Sequence, residues 1–471
     1  MGISPPTLKR TIGLPTVVST SAGLTFASST FLVVVQVACY LAGDAAWLAI
    51  LIAGGLCALA AAAFSELNGM WPSVNGIRLY LHQAFGEKVA LVAALTYMSV
   101  VTLVVGTEAY VLSHVLHAAV PRIAPPVWIF AMLTLATAIN FRGLQIAGTF
   151  QNVVTYSVVA SIVLFSVLSL AHAHFALSHP LHVGGIGRLF QAVGVAVFLF
   201  VGFEWVTPLA DEVQSPRAIP MGMFIALALL VVVYALFSTA MFSHLPPGGR
   251  GTLFGTLMHR NPVPHLTWAR AEFGLLGWAC MIATSLCMSL TTFNAGLMGV
   301  SRFLYGMARD QVLPRGLASL SPRFSTPDRA VVAVYVIALA VSALVYWSQR
   351  FVLLVNLAAA TEAFIYAGGA LSVIALRRRD PQRARPFRMR GGLALPALTA
   401  VLFALVGVGV FVQPGVEYWG AGVLLLLLGL AWWGYIHFFA LPRLSRARAA
   451  AAARPSRRPS RRPGAPFPAD E

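Results

Sequence analysis

Three glutamates fall deep inside stretches that are otherwise apolar: Glu108, Glu204 and Glu362. An unpaired carboxylate in lipid costs about 3 kcal/mol on insertion scales, so each must face protein or a polar cavity. Carboxylates so placed hold a proton or bind a cationic group; the competing role is a protonated side chain bonded to a neighbouring hydroxyl or backbone group. A second run, "VVSTSAGLTFASSTFLVVV" from Val17 to Val35, is apolar at both ends. Its middle holds Ser19, Thr20, Ser21, Gly23, Thr25, Ser28, Ser29 and Thr30. A plain anchor has no use for so many small hydroxylated residues at one depth. A third run, "FLFVGFEWVTPLADE", places Gly202 before Phe203 and Glu204, with Pro208 soon after. Glycine and proline interrupt the helical hydrogen-bond ladder, and freed backbone groups at that depth survive only where they line a protein cavity. Amides exposed at a half-helix N-terminus bind a carboxylate, and exposed carbonyls bind an ammonium or a cation.

The elements that carry these residues are membrane spans. Of 471 residues, 58% are hydrophobic and 10% charged, and the mean hydropathy is +0.80. Such a chain cannot hide its apolar surface in a soluble core, and its long uninterrupted stretches exclude a β-barrel, whose strands alternate in polarity. About twenty apolar residues per crossing gives twelve spans: 13–41, 46–66, 90–116, 126–141, 149–171, 189–210, 219–243, 272–304, 329–347, 351–376, 393–413 and 418–439. Span 4 is short, and spans 1 and 8 are long enough to tilt or break.

The net charge is +17, almost all from arginine, since Lys9 and Lys88 are the lysines. In a soluble chain this would suggest nucleic-acid binding; here the charge lies in loops beside spans, where topology explains it. The arginine bias and high alanine content suggest a bacterial source. With the N-terminus inside, the loop after span 8 carries Arg309, Arg315 and Arg323, the loop after span 10 seven arginines, and the segment after span 12 eight. This places both termini in the cytoplasm and the chain in the cell's inner (plasma) membrane. Glu66, at the inner end of span 2, is expected to pin the loop that follows it. His172, His174, His179 and His182 lie close together in an outer loop, which is read as solvated rather than as a metal site. Cys39, Cys57, Cys280 and Cys287 show no ligand spacing and are expected as small buried side chains. The apolar stretch after Lys9 and Arg10 runs on past any cleavage point, so it is read as a span and not a removed signal. Residues 1–12 form a cytoplasmic N-terminus, 13–376 the core, 377–392 a basic loop, 393–439 the last two spans, and 440–471 a disordered Arg/Pro-rich tail. Ser456 and Ser460 lie there beside arginine pairs.

Spans 1 and 6 both have an irregular middle and stand five spans apart. Five is odd, so a five-span repeat runs in inverted topology, the layout of carriers with a midplane site between two broken helices. Here the chain resembles the amino acid–polyamine–organocation (APC) permeases. "FLFVGFEWVTPLADEVQSPRAIP" is similar to their sixth helix and its sequel. "AFSELNGMWPSVNGIRLYLHQAFGE", "SRFLYGMARDQVLPRGLASLSPRFSTP" and "RRRDPQRARPFRMR" resemble their loops after helices 2, 8 and 10. The resemblance spans residues 10–440.

It implies an all-α membrane protein of the LeuT-like fold, two inverted five-helix repeats plus two C-terminal helices. It also implies alternating-access transport of an amino acid or related amine, with no cofactor and no enzymatic activity. The family's Gly-rich helix-1 motif falls on Leu24 to Leu32, which makes Ser28, Ser29 and Thr30 the carboxylate-binding positions. The amine-binding carbonyls fall at Phe198 and Val201, beside Gly202. Phe198 takes the place of the aromatic that closes over substrate, and Glu204 matches the helix-6 glutamate. Two departures stand out. The family's glycines are Ser28 and Thr30 here, so either the opened backbone shifts toward Gly23 or the ligand differs from an ordinary α-amino acid. The helix-5 lysine of some proton-coupled relatives is replaced at Ser157 or Val158, which excludes coupling through it. The coupling ion is then H+, through Glu108 or Glu204, or Na+, held by span-1 carbonyls and the hydroxyls of "TSLCMSLTTFNAG" in span 8. Ion-free exchange stays open, as does the oligomeric state. The partners are a small-molecule substrate and the lipid bilayer, not nucleic acid. A substrate sensor on the same fold is the alternative. No GxSxG, HExxH or Walker A run suggests an enzyme.

Overall fold

A computed structural model describes residues 10–35, 42, 45–73, 75–173, 186–243, 263–412 and 415–452. Among them the chain is helical, with one isolated bridge between Ile12 and Val213 and no longer strand. Among the described residues, ten helices are long and apolar enough to cross a membrane. The shorter Pro125–Phe141 is span 4, and the first span is split into two helices. Its halves are span 1a, Leu14–Thr25, and span 1b, Ser28–Val35. Span 2 is Ala46–Met70, followed by the amphipathic helix Gly76–Phe85. Span 3 is Glu87–Ala119 and span 5 Leu144–His172. Span 6 begins as Ile186–Val197 and continues as two 3-10 segments, Phe198–Phe200 and Phe203–Glu212. Spans 7, 9, 10 and 11 are Ala218–Ser243, Asp328–Ser348, Phe351–Arg379 and Ala394–Val412.

Span 8 runs from Pro264 to Arg309 and is broken at Gly274, where φ is +65°. The sequence placed the start of this span at 272, so about two turns of helix before the break were missed. Span 12, Val416–Tyr435, does not stop near 439. It passes through a π-helical turn, Ile436–Ala440, into the helix Leu441–Ala452. The first part of the expected disordered tail is therefore helical, because the alanine-rich run favours helix. Ser456 and Ser460 lie outside the described residues.

Equivalent spans of the two halves pack on each other: 1 on 6, 2 on 7, 3 on 8 and 4 on 9. Two five-span units related by a two-fold in the membrane plane interlock in this way. The lipid-facing sides carry exposed leucines, valines and aromatics, such as Leu275, Leu276, Leu405 and Trp347. Such exposure is what a bilayer solvates. Cys57 is buried as expected, but Cys280 lies on this exposed face and Cys287 is half-buried.

Amide side chains fix the frame around span 1a. Asn294 of span 8 donates to Gln151 of span 5 at 2.7 Å and to the Ala147 carbonyl at 2.9 Å. Asn140 of span 4 donates to Asn294 at 2.8 Å. Gln151 then reaches the Ser19 carbonyl at 3.1 Å, and Ser19 donates to Asn152 at 2.5 Å. Polar side chains that meet across helices are the glue available where hydrophobic driving force is weak.

One end of the bundle is held by ions. Glu66 is fully buried and does not pin the loop that follows it. Its partners lie in the last turn of span 10 and in the loop that follows it: Arg377 Nη2 at 2.5 Å, Arg385 Nε at 3.2 Å and the Met389 amide at 2.9 Å. At the same end Arg78 bridges Asp310 at 2.6 Å and Glu87 at 2.5 Å. The basic loop thus folds back onto span 2 rather than extending into solvent. Of the histidine group, His172 lies within the described residues. It sits 3.2 Å from Glu272, a carboxylate the sequence did not place nearby. His174, His179 and His182 lie outside them. Removing one partner of a buried ion pair leaves the others uncompensated. Glu66→Ala is therefore expected to cost about 3–5 kcal/mol, read as a lower melting temperature of the purified protein. An unchanged melting temperature would show that this hub is not holding the loop.

Candidate functional site

The two broken spans meet at the middle of the bundle. In span 1 the helix stops at Thr25 and restarts at Ser28, so Phe26 and Ala27 form the break. In span 6 the backbone opens at Val201, with ψ of 127°, and Gly202, with φ of +104°. A Cβ on Gly202 would stand 2.8 Å from Leu24 Cδ2. Glycine is thus required twice over at this position, for the left-handed backbone and for the close approach of span 1. The break of span 1 has not moved toward Gly23, which stays helical. A side chain there would run into Gln151, so Gly23 is a packing glycine that admits the span-5 amide network.

Several of the freed backbone groups of span 1 have partners on other spans. Tyr234 of span 7 donates to the Thr25 carbonyl at 3.0 Å. Thr292 of span 8 donates to the Phe26 carbonyl at 2.9 Å and lies 3.3 Å from the carbonyls of Gly23 and Met288. Thr291 lies 2.7 Å from the Met288 carbonyl and 3.3 Å from that of Phe26. Three carbonyls and two hydroxyls therefore gather between spans 1 and 8. One hydroxyl proton cannot serve three acceptors, and a surplus of neutral oxygens suits a small hard cation.

The amides at the start of span 1b are taken by Glu108 of span 3. Its Oε1 accepts from the Ser28 amide at 2.7 Å and the Ser28 hydroxyl at 2.6 Å, and also from Ser289 of span 8. Its Oε2 accepts from the Ser29 amide at 3.2 Å. Thr30 is turned inward on its own helix: its hydroxyl donates to the Ala27 carbonyl at 2.5 Å, and its amide to the same carbonyl at 3.0 Å. Of the three expected carboxylate-binding positions, Ser28 and Ser29 thus hold a carboxylate of the protein itself.

Glu204 lies in a second polar cluster. Tyr366 of span 10 donates to Glu204 Oε2 at 2.7 Å, and its hydroxyl also lies 3.3 Å from Glu362 Oε1. Tyr97 of span 3 donates to Glu362 at 2.8 Å. Glu204 Oε1 and Glu362 Oε2 have no hydrogen-bond donor, although both carboxyl groups are buried. Two buried carboxyl groups from spans 6 and 10 thus converge on one tyrosine hydroxyl. The fold joins Glu362 to Glu204, a pairing that the sequence does not state. The signal it offered is Glu362 and Tyr366 at i and i+4, which share one helix face.

Phe198 is half-buried at the end of the first part of span 6. It lines an apolar cavity of about 740 Å³ together with Val33, Leu56, Phe351, Asn356 and Leu402. The opposite side of the breaks is closed. Thr11 and Ile12 donate their amides to the Glu212 carbonyl at 2.9 and 3.0 Å, and Gln214 returns one to Ile12 at 2.9 Å. Arg302 pairs with Glu212 beneath this crossing at 3.1 Å. No group of three metal-binding side chains occurs among the described residues.

The amino acid permease family model matches residues 12–432 of the chain. The chain belongs to the amino acid permease family. It is a transporter and not an enzyme. Relatives include the methylthioribose transporter of Bacillus subtilis, 24% identical over 83% of this chain and 87% of the relative. The branched-chain amino acid permease of the same organism is 23% identical over 77% of this chain and 80% of its own length. The Asc-type amino acid transporter 1 of Mus musculus is 24% identical, covering 80% of this chain and 72% of the relative. The expected APC membership and all-α polytopic fold are thus borne out.

In this permease the Gly202 backbone links both breaks. Gly202→Ala forces a strained conformation worth on the order of 1–3 kcal/mol and pushes Leu24 away. Transport should fall by more than about tenfold while the protein still inserts and purifies as a monodisperse species. Near-normal transport by Gly202→Ala would show that the span-6 opening does not need this backbone.

Proposed function

We propose that this permease is a secondary carrier in the cytoplasmic membrane that moves an amino acid or related amine by alternating access. The observation that carries the reading is the meeting of two broken spans at the midplane, with one side closed at the Ile12–Val213 crossing and an apolar cavity on the other. Substrate sits between the breaks, near the span-6 carbonyls around Phe198 and Val201. Phe198 swings over it, and a bundle of spans 1, 2, 6 and 7 rocks against the rest. The N-terminus and the basic loops face the cytoplasm, as the arginine bias requires. The relatives are named for transport of methylthioribose, branched-chain amino acids and other amino acids. Pocket chemistry, not membership of the family, therefore decides the substrate.

For the coupling ion we favour Na+ at the oxygen cluster of Gly23, Phe26, Met288, Thr291 and Thr292. Neutral carbonyl and hydroxyl oxygens bind a hard cation with modest affinity, which suits an ion that must also leave. The unpartnered oxygens of Glu204 and Glu362 support a second reading, in which a proton on that pair drives the cycle.

Uptake of radiolabelled amino acids and amines into proteoliposomes tests both levels. Accumulation should follow an imposed Na+ gradient and fall by about tenfold or more in Thr292→Val. If uptake instead follows a pH gradient and Glu204→Gln abolishes its pH dependence, the proton reading replaces the sodium one. Phe198→Ala should lower turnover more than affinity, since it removes the closing side chain and not the anchoring groups. Failure to accumulate or exchange any compound of the panel would remove the carrier reading.

A further inference from the structure

The seat that a substrate carboxylate would take at the broken first span is filled by Glu108. Span 1b offers its first amides there, and the helix dipole adds partial positive charge. The Ser28 and Ser29 amides both point at Glu108, and the Thr30 amide is spent on Ala27. No amide of this first turn is left for an incoming carboxylate. Displacing Glu108 would strip it of its bonds to Ser28, Ser29 and Ser289 and leave it bare within the protein interior, beside a second negative charge.

The two oxygens of Glu108 are not equally occupied. Oε1 receives three donors, from the Ser28 amide, the Ser28 hydroxyl and Ser289. Oε2 receives a single amide at 3.2 Å. No lysine, arginine or histidine among the described residues forms an ion pair with it. The buried arginines are engaged elsewhere, Arg302 with Glu212 and Arg377 with Glu66. Glu108 is therefore a fully buried carboxylate with backbone support, no protein counter-cation and one oxygen with lone pairs to spare.

We propose that Glu108 is an internal substitute for the substrate carboxylate and that the transported ligand is a carboxylate-free amine, whose ammonium group binds Glu108 Oε2. The proposal rests on the reading of the broken spans as the transport site and names the substrate class of that site. The serine that replaces the first of the family's glycines at position 28 belongs to the same arrangement. Ser28 contributes both its amide and its hydroxyl to Glu108, a contact that glycine cannot complete.

Matched pairs that differ only in the carboxylate test this: leucine and 3-methylbutylamine, phenylalanine and phenethylamine, lysine and cadaverine. Thermal shift of the full-length protein and counterflow in proteoliposomes read binding and exchange. In at least one pair the amine should bind about tenfold or more tightly than its amino acid. Glu108→Ala empties the seat, so amine binding should drop and amino acid binding should rise. Glu108→Gln keeps the size and serves if the alanine variant does not fold; it should weaken the amine selectively. Tighter binding of every amino acid than its amine in the wild type, or equal loss of both in Glu108→Gln, would overturn the proposal and leave the permease reading intact. Absence of binding and exchange for every compound in both series would overturn both.

Discussion

Backbone groups freed in the middle of a membrane protein must find partners inside it, and the Glu108 contact with span 1b is where this constraint is met most fully. A break in a span exposes amides on one side and carbonyls on the other. Here the amides are met by a carboxylate from span 3, and the carbonyls by hydroxyls from spans 7 and 8. Spans 1, 3, 7 and 8 are thereby locked around one point. The opening in span 6 joins this point through Gly202, whose lack of a side chain lets Leu24 approach.

The surrounding frame keeps that point in register. Amides of Asn140, Gln151 and Asn294 tie spans 4, 5 and 8 to span 1a. Ion pairs centred on Glu66, Arg78 and Arg302 tie the ends of spans and the loops at one side. Buried pairs of this kind add little net stability over an apolar contact, but they penalise wrong arrangements because a lone buried charge is costly. Such a device suits a carrier, in which spans must shift between a few defined arrangements without unravelling.

Much of this was legible in the sequence. Composition fixed the solvent, and the hydroxyl run and the Gly-Phe-Glu run marked both broken spans. The family resemblance placed Ser28, Ser29 and Thr30 at the first break, which falls at Phe26 and Ala27, inside the expected motif. What could not be read was pairing across the bundle. Glu108 meets Ser28 from 80 positions away and Glu66 meets Arg377 from 311. Nothing in the local pattern of either glutamate says which helix it faces, because rotation about a span's axis is set by packing. For the same reason the meeting of Glu362 with Glu204 on a shared tyrosine was not legible. The helix beyond span 12 was missed for a different reason, since a run rich in arginine and alanine suits both a helix and a solvated tail.

The central claim is that the anion seat of the first broken span is filled from within. The most direct measurement is a structure of the protein in lipid nanodiscs with a transported ligand bound, determined by electron cryomicroscopy. Glu108 should stay on the Ser28 and Ser29 amides, with a ligand nitrogen beside Oε2. A ligand carboxylate on those amides, with Glu108 turned away, would contradict it.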